Sequence, residues 1–513
     1  RRVLFRSGVE FLQFAKISYS QISQIHVQFQ SIVKLVNSKF FSEGRFFSMD
    51  YAIGVILLLT FFALAWYCIK GFNLMIGFLV ITILWTVLPL FGTLFVSKEF
   101  LAANPVLLFG EGTGRTLVQI LNGIYQSAPE GWGTTLVNVC WGAWFGRVLM
   151  DTGIASTLIR KTVELGGDKP AVTISLLNLV TALIFTSMTG AGPVIAIGVI
   201  VLPILMSLGV PKAIAMFSFM GAVASGIYLN PVNFAQYRAF FIKPSEMPDF
   251  TLGWYAAHWG YAALAIMLIV TTLLALFYLN RSKSRRQWAA QTRTPQAAQK
   301  DAPIYTLILP VVPVILNIAF NFSVIGGFVI AGFAALFLCG RMSGTFRENC
   351  QLVNKLYYEG VVDTAPLVGF LLTLPMFNAV AVYASPYFNV VIGGIMPKSE
   401  FVVCVVFAAL LFMGLFRGPM TLVGCGAATL GVLSNVAKFS VPFLYGVFAI
   451  PTITVNIGCC ITQSWVAWGL AYTKVESRDF LKLSIPNAYA TGILQYAAVY
   501  LLLAGLGSAW MIG

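Results

Sequence analysis

The chain has 513 residues, 58% of them hydrophobic and 10% charged, with a formal net charge of +14. Soluble domains carry about 25% charged residues, so this composition, with a mean hydropathy of +0.85, excludes a soluble globular protein. Recurrent apolar runs of about 20 residues are long enough to cross the hydrocarbon core and predict an all-α polytopic membrane protein. The period-two alternation of an outer-membrane barrel is not evident. The positive charge is then expected in cytoplasmic loops, and nucleic-acid binding is a poor reading of it.

Residues 1–48 differ from the rest. They are polar, carry seven Lys/Arg against two Asp/Glu, and open with Arg1-Arg2-Val3-Leu4-Phe5-Arg6-Ser7, which resembles a translated sequencing-adapter scar. A natural start at Met49 is expected, with residues 1–48 a non-native or disordered extension. The alternative is a basic amphipathic arm on the membrane surface.

In chain order, spans are predicted near 51–69, 71–96, 131–150, 212–235 and 251–279, then near 303–320, 322–339, 361–383, 441–472 and 489–511. Two further apolar stretches are interrupted. The first, 171–209, contains Thr186-Ser187-Met188-Thr189-Gly190-Ala191-Gly192-Pro193. The second, 401–437, contains Arg417-Gly418-Pro419. Their arms, about 15–18 residues each, are short for a full crossing, so both are predicted to be re-entrant hairpins. The loop 280–302 holds Arg281, Lys283, Arg285, Arg286, Arg293 and Lys300 against Asp301 alone, which places it in the cytoplasm. Counting outward from it puts the other basic loops inside as well. The expected organisation is therefore two inverted repeats, 49–279 and 303–513, each of five spans plus one hairpin, joined by the linker 280–302. Paired broken elements of this kind mark secondary transporters with a site at the midplane.

Each predicted hairpin is followed by a second break. After the first come Asn230-Pro231-Val232-Asn233 and Gln236; after the second come Pro451-Thr452-Ile453-Thr454-Val455-Asn456 and, further on, Gln463. Broken helices expose N–H groups that favour anions and carbonyls that can hold Na⁺. Candidate substrate-binding residues are Arg417, Ser187, Thr189, Gly190, Gly192, Asn230, Asn233, Gly418, Thr421, Thr452, Thr454 and Asn456. Arg417 is foremost, because an arginine at mid-membrane depth costs roughly 2.5–3.5 kcal/mol on insertion scales. Its alternatives are a structural ion pair with Asp151 or Asp363, or snorkelling to an interface. Asp363 reads as a proton relay or as an ordinary helix-end residue. Arg147 and Asp151 lie near the inner end of a span, and His258 sits beside Trp259 in an interfacial belt.

Other chemistry is missing from the sequence. It has no phosphate-binding glycine loop, no hydrolase or zinc-protease motif and no potassium-filter motif. The eight cysteines, Cys68, Cys140, Cys339, Cys350, Cys404, Cys425, Cys459 and Cys460, lack metal-ligand spacing. With two histidines, a histidine-ligated haem or zinc enzyme is improbable. No metal and no cofactor is expected beyond Na⁺ or H⁺ as a coupling ion.

The glycine, proline and small polar positions resemble those of a known family. Ile53-Gly54-Val55-Ile56 with Ile69-Lys70-Gly71 is similar to the start of the anaerobic C4-dicarboxylate uptake carriers. The stretch from Gly142 through Thr186–Pro193 to Leu202-Pro203 and Leu208-Gly209-Val210 resembles those carriers and the gluconate permeases, and Ala302-Pro303-Ile304-Tyr305 with Leu309-Pro310 also fits. The resemblance covers roughly residues 50–500 and implies the ion-transporter superfamily. With it come two hairpins, organic-anion substrates, H⁺ or Na⁺ coupling, a homodimer and a bacterial inner-membrane location. It also implies a substrate between the tips near Thr189 and Thr421 and the breaks near Asn230 and Asn456. The chain departs from the family at its second tip, where Phe416-Arg417-Gly418-Pro419 replaces a small polar sequence. The expected function is secondary transport of small carboxylates such as C4-dicarboxylates, citrate or sugar acids. A cation/proton antiporter of the same architecture is the alternative, ahead of an integral-membrane enzyme or a channel.

Overall fold

A computed structural model describes residues 48–70, 72–110, 115–241, 246–282, 301–436, 438–507 and 510. The expectations for residues 1–47 and for most of the 280–302 linker fall outside that set. Among the described residues the chain is all helical, with a single isolated β-bridge between Gly110 and Arg115. The first helices are α1 (Met49–Ile69) and α2 (Leu74–Gly92), followed by short helical turns and then α3 (Gly133–Asp151) and α4 (Ile154–Gly166). Next come α5 (Pro170–Phe185), α6 (Ala191–Ser207), α7 (Lys212–Ile227), α8 (Pro231–Arg238) and α9 (Leu252–Arg281). The remainder comprises α10 (Val312–Phe320), α11 (Val324–Leu338), α12 (Phe346–Ile392), α13 (Glu400–Ala409), α14 (Gly426–Val436), α15 (Val441–Ile457), α16 (Ser464–Thr473) and α17 (Ser477–Leu503).

Four of these helices, α1, α2, α9 and the Leu367–Ile392 part of α12, are individually long and apolar enough to cross a membrane. Their outward faces agree: Leu59, Phe62, Val80 and Ile83 are exposed, as befits a surface solvated by lipid tails. The chain is a multi-pass membrane protein. Both predicted broken stretches are broken. Helix α5 ends at Phe185 and α6 begins at Ala191, with Gly190 at φ +96° turning the chain between them. Helix α13 runs into a tight turn at Leu411–Arg417 bent by 64° from it, and α14 restarts at Gly426. A second break bends α7 against α8 by 68°.

Three predicted spans need correction. The span near 361–383 is part of one continuous helix, α12, of 47 residues, roughly 70 Å long at 1.5 Å per residue. Hydropathy misses its first four turns because they are polar. Thr345 and Glu348 nevertheless form a reciprocal capping box, the Glu348 N–H donating to Thr345 Oγ1 at 3.4 Å and the Thr345 N–H to Glu348 Oε2 at 2.7 Å. The backbone N–H of Thr345 also holds the exposed Glu348 carboxyl below its usual range. For the same reason α17 starts at Ser477, ahead of the predicted 489. The 303–320 stretch is not one spanning helix. Pro303, Pro310 and Pro313 cut it into a 3₁₀ turn at Ile304–Ile308 and the nine-residue α10.

Two bodies of packing emerge. Helix α12 lies against α1, α2, α3 and α14, while α5, α7, α9 and α17 pack on one another. Ion pairs join the basic loops. Arg341 holds Asp151 with two hydrogen bonds of 2.8 and 2.9 Å, and Arg160 pairs with Asp301. The end of α3 is thereby tied to the turn after α11, and helix α4 to the start of the segment that follows the linker.

The α5–α7 contact is close enough to be tested. A Cβ on Gly226 would lie 2.2 Å from the Ala182 carbonyl oxygen, a backbone atom with no freedom to swing away. Gly226→Ala is expected to destabilise by about 1–3 kcal/mol through overpacking, read as a lower melting midpoint in detergent. Gly123→Ala, where the added carbon meets nothing within 4 Å, should melt as the parent does.

Candidate functional site

The breaks surround a cavity of about 730 Å³. Thr189 and Gly190 of the first tip line one wall, and Arg417 with Val423 of the second tip lines another. Asn233, Gln236 and Tyr237 of α8 follow the first broken helix into it, and Thr462, Gln463, Ser464 and Trp465 follow the second. Helix α12 contributes Asp363, Thr364 and Phe370, and the α1–α2 turn contributes Phe72 and Asn73.

Arg417 is held in an unusual backbone. Phe416 and Arg417 both have positive φ, +54° and +57°, a left-handed conformation that costs roughly 1–2 kcal/mol per non-glycine residue. The sequence suggested that Gly418-Pro419 would make the break. The structure makes it one step earlier, at Leu415–Arg417. Gly418 is needed for a different reason, since a Cβ there would lie 2.1 Å from the Met413 carbonyl oxygen. The guanidinium donates to the Val423 carbonyl at 3.1 Å and to Gln463 Oε1 at 3.2 Å, and it lies 5.5 Å from the centre of the Phe370 ring. Two of its five N–H donors are thus engaged. Among the described residues no carboxylate lies within ion-pair distance of it.

The acids offered as its structural partners are committed elsewhere. Asp151 belongs to Arg341. Asp363 takes a bidentate pair from Arg147 of α3, at 2.6 Å from Nε and 2.5 Å from Nη2, with Glu359 3.7 Å from the same guanidinium. Asp363 is not a helix-end residue: it lies well inside α12, on the cavity wall, against the first turn of α6. A Cβ on Gly192 would sit 2.5 Å from Asp363 Oδ2, so Gly192 serves the docking of that turn and does not line the cavity. The carboxylate also faces the positive end of the α6 dipole. With side-chain exposures of 30% and 18%, the Arg147–Asp363 pair is partly desolvated. Asp363→Leu alone should cost about 1–3 kcal/mol, because it leaves Arg147 with only the longer contact to the half-exposed Glu359, whereas Asp363→Leu with Arg147→Met should recover most of that loss. A double-mutant cycle of melting midpoints measures it.

The remaining predicted residues divide clearly. Thr189, Gly190, Asn233 and Arg417 line the cavity. Ser187 is buried and donates to the Pro310 carbonyl. Thr421 donates to the Gly414 carbonyl at 2.8 Å. Thr454 joins Tyr228 and Gln495 in a sealed network, at 2.7 and 2.8 Å, and Asn456 accepts from Gln463. Asn230 caps α8, accepting from the N–H groups of Val232 and Asn233 at 3.0 and 3.2 Å, and donates to the carbonyls of Phe185 and Met188 at 3.1 Å each. Thr452 accepts from the Leu422 N–H at 3.0 Å and donates to Phe448. Asn230 and Thr452 are therefore ties between each tip and the break that follows it, not groups left free for a ligand. His258 stacks on Trp254 and bonds its carbonyl, away from the cavity.

Sequence reasoning did not select Asn73, Gln236, Tyr237, Thr364, Phe370, Thr462, Gln463 or Trp465. Gln236 and Gln463 carried a usable signal, since each is an uncharged polar residue about two turns past a break in otherwise apolar sequence. Asn73 and Phe370 carried none, because only the tertiary fold brings their segments to the cavity. A scan of protein-family models gives no match to this chain, and neither does a search of curated proteins.

Proposed function

We propose that the chain is a secondary transporter of small organic anions that works by alternating access. The observation that carries this reading is Arg417: a cation with free donors, without a carboxylate partner among the described residues, facing a cavity bounded by two broken helical elements. A carboxylate would meet a charge-assisted, bidentate-capable group. The cavity is large enough for a small acid, and its other polar groups are amides and hydroxyls. In this reading, units 49–279 and 303–513 are inverted repeats, each supplying one tip and one break to the cavity. The carrier would be a homodimer in a bacterial inner membrane, driven by H⁺ or Na⁺. The resemblance to C4-dicarboxylate carriers and gluconate permeases supports the same class.

The cation/proton antiporter remains the second reading because Asp363 lines the cavity. Its bidentate pairing with Arg147 argues against it as a freely exchanging cation site. A thermal-shift screen of the purified full chain against carboxylates, with and without Na⁺ and at two pH values, separates the two. Ligand at 100 times its Kd stabilises by about 2.7 kcal/mol, an easily read shift. A carboxylate response supports the anion carrier. A response to Na⁺ or pH alone supports the antiporter.

A further inference from the structure

Charge is scarce in the cavity wall. Among the described residues that line it, the charged side chains are Arg417 and Asp363. Helix α12 relates the two. The Arg417 guanidinium lies 5.5 Å from the centre of the Phe370 ring. Asp363 is two turns before Phe370 on the same face of α12, roughly 10 Å along the axis at 1.5 Å per residue. Asp363 is already answered by Arg147, through hydrogen bonds of 2.6 and 2.5 Å. Among these residues Arg417 alone offers the cavity a charge with no opposite charge beside it, and it suffices for one carboxylate. A second carboxylate on the same ligand would lose its water without gaining a cation, which is costly. Placed toward Asp363, it would also meet a like charge.

Much of the remaining wall is hydrocarbon. Phe185 of α5, Val223 and Ile227 of α7, Leu367 and Phe370 of α12 and Ile457 of α15 all line the cavity. Most of the polar side chains there have protein partners. Asn73 accepts from the Ile76 N–H at 3.3 Å, Asn233 donates to the Tyr237 hydroxyl at 3.2 Å, and Thr364 donates to the Gly360 carbonyl at 3.2 Å. Gln463 is taken by Asn456 and Arg417. A ligand rich in hydroxyls would therefore give up more hydration than the wall returns, whereas an apolar body gains by burial. We infer that the cavity takes a monocarboxylate with a hydrocarbon body, its carboxylate on Arg417 and its chain against α7 and α12. This rests on the anion-carrier reading. It narrows the substrate class away from the dicarboxylates, citrate and sugar acids that the resemblance implies.

The test takes apparent affinities from concentration-dependent thermal shifts of the full chain in detergent. Butyrate is compared with succinate, which has the same four-carbon chain and a second carboxylate, and with citrate and gluconate. Butyrate should bind at least about tenfold more tightly than any of the three. Along the series acetate, propionate, butyrate, pentanoate, affinity should rise about two- to fourfold per methylene, as burial of one CH₂ group gives. Butyramide, the same body without the charge, should bind at least about tenfold more weakly than butyrate, and Arg417→Ala should remove that difference. Succinate, citrate or gluconate binding as tightly as butyrate would overturn the inference while leaving the carrier intact, provided Arg417→Ala weakens their binding. Affinity that stays flat along the series would overturn it too, as would butyrate affinity unchanged in Arg417→Ala. If none of these acids binds, the carrier reading fails together with it.

Discussion

Arg417→Ala will lower carboxylate affinity by about 10- to 100-fold without lowering the melting midpoint of the ligand-free protein. The two halves of that expectation come from the same geometry. The guanidinium touches a carbonyl, an amide and a phenyl ring, so its charge is uncompensated within the cavity. Hydrogen bonds to a charged group are worth about 1.5–3 kcal/mol, and a bound carboxylate would gain at least one. The ligand-free protein, by contrast, carries the desolvation of that charge with no opposite charge to offset it. An arginine in a structural ion pair would behave in the opposite way and lose stability on replacement. Arg417→Lys should recover only part of the affinity, since an ammonium cannot hold Val423 and Gln463, lie over Phe370 and still present a two-pronged donor to the ligand. Arg417→Gly should be more stable than Arg417→Ala by about 1 kcal/mol, because φ at this position is +57° and alanine shares the left-handed penalty. Thermal midpoints with and without carboxylate measure all three variants. Parent-like affinity in Arg417→Lys would remove Arg417 from the binding site.

The sequence was most legible where physics acts locally. Apolar runs located α1, α2 and α9, and glycine with proline located both broken stretches, because lipid and backbone hydrogen bonding leave few alternatives there. Polar helix was invisible to hydropathy: the first turns of α12 contain Arg347, Glu348, Lys355 and Glu359, all good helix formers, and the misplaced start made Asp363 look like a helix end. Whether a buried hydroxyl or amide meets ligand or protein depends on neighbours far apart in sequence. Thr454 is sealed off by Tyr228 and Gln495, whereas Asn233, of similar chemistry, is left with an idle oxygen. Nothing local distinguishes them. The position of Arg417 was readable from its cost alone, but its freedom from Asp151 and Asp363 required knowing that Arg341 and Arg147 reach those acids first.

Asn230 illustrates the same division and carries the second large effect. All its hydrogen-bonding capacity is spent within the protein: two backbone N–H groups of α8 reach its oxygen, and its amide hydrogens reach two carbonyls at the end of α5 and in the first tip. The side chain is fully buried, so water cannot replace what is lost. Asn230→Leu removes a helix cap worth about 1 kcal/mol and strands two carbonyls at about 1–3 kcal/mol each, a total of roughly 3–7 kcal/mol. Asn230→Ser keeps the cap but cannot reach both carbonyls, and should lose about half as much. Asn230→Asp keeps the cap as well, yet sets a carboxylate against the carbonyl oxygens of Phe185 and Met188; at neutral pH it should be worse than serine. The order expected in detergent melts is therefore parent, serine, then aspartate and leucine. Affinity for carboxylates in the folded fraction of Asn230→Ser should stay within about threefold of the parent, because the residue ties the tip to the break and does not face the ligand. Loss of affinity by tenfold at an unchanged melting midpoint would reverse this assignment and return Asn230 to the binding site.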